Sequence, residues 1–104
     1  MDNTQPPIAC NLAILPPAER ERHEAVTRQL YSLVEDVREL PDGLELYLSS
    51  KDTQLLTEWI SRERLCCPFL RFELRIEPQL GPVTLRLSGP EGTKEVLKAA
   101  ILQL

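Results

Sequence analysis

The segment Leu70-Arg71-Phe72-Glu73-Leu74-Arg75-Ile76-Glu77 alternates apolar and charged side chains without a fault. Successive side chains of a β-strand point to opposite faces, so this period of two demands a sheet with one covered face and one wet face. Two further segments meet the same demand. Val83, Leu85 and Leu87 alternate with Thr84, Arg86 and Ser88, and Leu44, Leu46 and Leu48 alternate with Glu45 and Tyr47. Residues 34–40, Val-Glu-Asp-Val-Arg-Glu-Leu, read as the hairpin partner of the latter. The connection Pro41-Asp42-Gly43 supports the hairpin: Pro presets φ, Asp bonds the turn backbone, and Gly is expected at positive φ.

Three segments have helical spacing instead. Pro17 suits a first turn, and Val26, Leu30 and Leu33 recur on one face of a helix running from about Pro17 to Leu33. Stepping back three or four residues from Val26 reaches His23 and Arg22, so His23 is expected on or beside the buried stripe. Asp52 or Ser50 can cap a second helix, about Thr53 to Leu65, whose inner face carries Leu55, Leu56, Trp59 and Ile60. Glu63 and Cys67 continue that stripe, and Pro68 stops the helix at Cys66 or Cys67. A last helix, about Thr93 to Leu102, buries Val96, Leu97, Ala100 and Ile101.

The order α-β-β-α-β-β-α predicts an α+β fold: a two-layer open sandwich with a mainly antiparallel four-stranded sheet and helices on one face. Residues 1–9, with Pro6-Pro7, read as a flexible arm, and residues 10–104 as a single α+β domain. The open face would carry Glu45, Tyr47, Arg71, Glu73, Arg75 and Arg86, either as cross-strand ion pairs or as the interface of a homodimer.

The net charge of −4 and the interleaving of Arg with Glu leave no basic tract, which argues against a nucleic-acid partner. No apolar run approaches the roughly 20 residues of a membrane span, and the polar start MDNTQPPIAC lacks an export signal. A cytoplasmic protein is expected, in which the three cysteines would be free thiols, metal ligands or redox groups.

Those cysteines carry most of the chemical interest. Cys66 and Cys67 are adjacent, at a helix end. Neighbouring Cα atoms lie about 3.8 Å apart, below the usual disulfide range of about 4.4–6.8 Å, so a bond between these two would be strained. Two close thiols suit a soft or borderline ion better, zinc by default, or Cu(I) or another thiophilic cation. Together with Cys10 and the inward-facing His23 they make a Cys₃His donor set, although no CxxC or HxxxH spacing announces it. Glu63 and Arg64 precede the pair as candidate supporting groups: an Arg lowers a nearby thiol pKa, while a Glu opposes this, accepts a proton or binds the ion. The bland alternative is that the cysteines are small buried hydrophobes and His23 a hydrogen-bonded, half-buried side chain.

Cys10-Asn11-Leu12, Glu19-Arg20 with His23, the turn Leu40-Pro41-Asp42-Gly43, and Glu63-Arg64-x-Cys66-Cys67-Pro68-Phe69 together resemble a family of small bacterial proteins. The resemblance spans Cys10 to about Gly92, implies no activity, and favours grouping Cys10, His23, Cys66 and Cys67. The expected function is therefore a metal-binding protein, more a binder than an enzyme. A thiol redox enzyme or sensor with Cys10 as resolving partner is one alternative, and an interaction module with inert cysteines is the other.

Overall fold

A computed structural model describes residues 8–48 and 52–101. Its elements are α1 (Pro17–Ser32), β1 (Val34–Leu40), β2 (Gly43–Leu48), α2 (Thr53–Cys66), β3 (Arg71–Ile76), β4 (Val83–Ser88) and α3 (Thr93–Ile101), preceded by a 3₁₀ turn over Leu12–Ile14. The expected α-β-β-α-β-β-α order and α+β architecture are present. The four strands form one antiparallel sheet in the order β1-β2-β4-β3. Most of the expected arm, the alternative cap Ser50 and the end of the last helix at Leu102 lie outside the described residues.

Alternation builds the core. Leu44 and Leu46 of β2 stand opposite Leu87 and Leu85 of β4, and all four are fully buried. Val26 and Leu30 of α1, Leu56 and Trp59 of α2, and Leu97 of α3 close over that face. β1 departs from strict alternation: its register slips between Val34 and Asp36, so Val34 and Val37, three apart, both pack on the core. Such a bulge re-phases a strand by one residue. Glu39 of β1, itself exposed, pairs with α3, 3.2 Å from Lys98 and 3.7 Å from Lys94.

α1 and α2 run antiparallel, as two successive rungs show. His23 meets Glu63 at 2.7 Å, and one turn on the Trp59 indole N–H donates to the Thr27 hydroxyl at 3.1 Å. Thr27 in turn donates to the His23 carbonyl at 2.7 Å. Outside these rungs Arg22 binds Glu58 bidentately at 2.7 and 2.8 Å, and Arg62 adds a contact at 2.6 Å. Those two guanidiniums hold the Glu58 carboxyl down at about 2. α2 begins as expected at Asp52, whose carboxylate accepts from the Leu55 N–H at 2.9 Å.

The hairpin glycine has a different cause from the one expected. Gly43 does not have positive φ; among the described glycines only Gly92 does. Gly43 lies under β4, where a Cβ would come within 1.8 Å of the Leu87 carbonyl oxygen. Close backbone approach, not turn geometry, demands glycine there. Gly43→Ala should therefore destabilise the fold by about 3 kcal/mol, the upper end of overpacking costs, because a backbone carbonyl cannot swing aside. Urea unfolding with unchanged m and a lowered midpoint would show it.

Candidate functional site

The site grows from the way α2 ends. Pro68 disfavours helical backbone at Cys67, which takes φ −123° and ψ 73° as the C-cap while its N–H still donates to Glu63 O at 2.8 Å. The freed carbonyl of Cys66 accepts from the Asn11 N–H at 2.8 Å. That one bond fastens the segment before α1 to the end of α2 and sets Cys10 beside Cys67. Asn11 also caps the 3₁₀ turn through its side chain, at 3.1 Å from the Ala13 N–H. Arg20 holds the turn from below by donating to the carbonyls of Leu12 and Leu15. Leu15, Phe69, Cys66 and Cys67 bury one another in a small second core.

Cys10 and Cys67 are joined by a disulfide, with Cα atoms 4.3 Å apart. Of the three cysteines, expected as free thiols, metal ligands or redox groups, Cys66 alone is a free thiol. The pairing avoids the strained neighbour bond, because the fold brings a cysteine 57 positions away onto Cys67. The bond straddles the surface, with Cys10 exposed and Cys67 only 1% exposed.

Glu63 sits one turn before Cys67 and touches it. One carboxylate oxygen lies 3.3 Å from the Cys67 sulfur, and the other 2.7 Å from His23 Nε2. A disulfide sulfur has no proton to donate, so the first contact becomes a hydrogen bond only once the S–S bond is opened. Facing a carboxylate, His23 Nε2 acts as the donor. His23 Nδ1 is buried and without a partner among the described residues. The ring is 2% exposed and stacked on Trp59 at 6.4 Å between centroids. Cys67, Glu63 and His23 thus form a relay running from the sulfur into the interface between α1 and α2.

A pocket of about 310 Å³ opens over this relay, walled by Cys10, His23, Thr27, Glu63, Cys66 and Cys67. The sulfurs of Cys10 and Cys67 and a Glu63 oxygen all lie within 4.8 Å of one another, a group able to hold a metal ion. Of the expected donors, Cys10 and Cys67 come together, His23 joins through Glu63, and Cys66 lines the pocket outside that group. Glu63, expected as a supporting group, is itself in the donor set. Arg64 is exposed and is not part of the wall. Thr27 was not anticipated. Its place four residues after His23, on the same helical face, was the available signal. Burial pushes the Cys66 thiol up, and the charge of Glu63 adds to the effect. Burial first, then Glu63, likewise raises the Tyr31 phenol.

No protein-family model, curated protein or solved structure matches the chain.

A two-stage thiol titration checks this arrangement. The oxidised protein should react slowly at Cys66 alone, with a rate that goes on climbing above the ordinary thiol pH range. Mild reduction should expose Cys10 as the fast-labelling thiol. Opening a bond between residues this far apart should also cost about 2–4 kcal/mol in urea unfolding, through loop-closure entropy regained by the unfolded chain.

Proposed function

We propose that the chain binds a thiophilic metal ion, zinc by default, at a site that the Cys10–Cys67 bond closes. The observation that carries this reading is the convergence of two sulfurs and a carboxylate oxygen within 4.8 Å at the floor of one pocket. Thiolate and carboxylate are both good zinc ligands, and two thiolates are enough to favour a softer cation such as Cu(I). His23 holds Glu63 from behind, which orients the carboxylate and lowers its freedom, the usual work of an outer-shell partner. Cys66 and the pocket opening remain for a further ligand.

Both sulfurs can serve only as thiolates, so the ion and the disulfide exclude each other. Opening the bond takes up two electrons and two protons. Closing it releases them, and Glu63 stands where the Cys67 proton must go. In a reducing cytoplasm, the compartment expected from the sequence, the dithiol form prevails and the site is competent.

Thiol–disulfide exchange is the second reading, favoured by the asymmetry of the bond. An external thiolate has access to the exposed Cys10 sulfur, forming a mixed disulfide there and releasing Cys67 as the leaving thiolate beside Glu63. The sequence offers no CxxC in support.

Anaerobic zinc titration of the reduced chain against a chromophoric chelator separates the two. Metal binding requires tight uptake of one equivalent with proton release, none after oxidation, and loss in Cys10→Ser and Cys67→Ser. His23→Ala should weaken uptake about 10- to 100-fold without changing the thiol count. A fully reduced protein that takes up no zinc or Cu(I), yet equilibrates its Cys10–Cys67 pair with a glutathione buffer, would replace metal binding with exchange.

A further inference from the structure

β3 is an edge strand, paired only with β4 among the described strands. Its register with β4 is regular throughout, whereas the opposite edge, β1, carries a bulge. Proteins usually blunt their edges with bulges, short strands or inward charges, and β3 shows none of these. Its core-side residues are also incompletely covered: Leu74 is 37% and Ile76 54% exposed.

The strand is complementary to itself. Glu77 N–H donates to Pro82 O, so by alternation the odd-numbered residues of β3 turn their amides toward β4. The amides and carbonyls of Phe72, Leu74 and Ile76 then face the open edge. If a second copy is laid antiparallel with Leu74 opposite its own counterpart, these groups form a closed ladder: Leu74 with Leu74, Phe72 with Ile76, Ile76 with Phe72. On the wet face Arg71 meets Glu77 and Glu73 meets Arg75, each pair twice. Moving the register by two residues either way sets Arg75 against Arg75 and Glu73 against Glu77, or Glu73 against Glu73 and Arg71 against Arg75. A parallel in-register pair sets like against like throughout. Directly opposed like charges destabilise a sheet, so of these arrangements only the one centred on Leu74 is attractive on both faces.

We propose that two copies of this chain join edge to edge through β3, antiparallel about a two-fold axis at Leu74, into a continuous eight-stranded sheet. All helices then lie on one side of it, and the exposed Leu74 and Ile76 of both copies pack together between the two α2 helices. The open face of the sheet is left free. Away from the β3 edge its groups are paired within one chain, with Arg86 3.0 Å from Glu45, Tyr47 bonded to Glu45, and Arg38 over the Tyr47 ring. At the edge Arg75 lies 2.8 Å from Glu77 of its own strand and exchanges this exposed contact for those across the two-fold. The contact is isologous, so one strand supplies both halves.

Sedimentation equilibrium of the full chain from 10 to about 500 µM tests the proposal, the range suiting a six-residue contact. The expected result is twice the chain mass, with Leu74→Lys and Arg75→Glu each raising the dissociation constant at least about tenfold. Glu73→Arg combined with Arg75→Glu should restore the dimer, because the opposed charges are then exchanged but still unlike. Amide exchange of the wild type should slow at Phe72, Leu74 and Ile76 as concentration rises, a readout that needs no variant to fold. A wild type that stays at single-chain mass throughout would overturn the proposal. So would a dimer that Leu74→Lys leaves intact, since the contact would then lie on another surface.

Discussion

The indole of Trp59 is where the structure is tied together. It is almost fully buried, faces Tyr31 and Phe72 edge-on at 6.3 and 6.1 Å, and stacks on His23. Its N–H would be costly without a partner at that depth, and Thr27 supplies one while bonding the carbonyl of His23. That pairing sets how far α1 can slide along α2. With Trp59 opposite Thr27, the residues one turn away, Glu63 and His23, must also meet. The relay to the disulfide therefore follows from a packing contact in the core. The bidentate Arg22–Glu58 pair reinforces the same alignment from the surface, where solvent leaves it a modest share.

The Cys10–Cys67 bond combines structural and chemical roles. Closed, it pins the segment before α1 onto the end of α2, a junction that otherwise depends on the Asn11–Cys66 backbone bond and the small cluster around Leu15 and Phe69. Open, it yields two thiols beside a carboxylate. The stability of that corner and the availability of the donor set are thus opposed. Cys66 stands apart: it is buried, beside the charge of Glu63, and resists ionising. Adjacent in sequence, the two cysteines differ because the helix ends between them, one closing the last turn and the other turning away into the cap.

The sheet divides into a sealed half and an open one. β2 and β4 are covered completely on the inner face, while on β3 Phe72 packs on the core and Leu74 and Ile76 are exposed. β3 carries the most perfectly alternating sequence in the chain. The completeness of the alternation, with no bulge and no inward charge, makes the strand fit to continue a sheet as well as to end one.

Alternation and helical spacing were enough to establish the element order and the covered face, because both are local properties of side-chain direction. They also placed His23 and Glu63 inward and stopped α2 at the cysteines, since Pro68 acts on its immediate neighbour. The slip in β1 was hidden, for a bulge is defined by the partner strand. The reason for Gly43 was hidden too, because it concerns a carbonyl 44 positions away on β4. The sequence could show that one cysteine must lack an internal partner, and that a bond between neighbours would be strained. Which of the distant pairings forms was decided only in three dimensions, by the bond from Asn11 to Cys66 that carries Cys10 to Cys67. The role of Glu63 was settled in the same way: its place on the stripe was local, but its contacts with Cys67 and His23 depend on how two helices are held side by side.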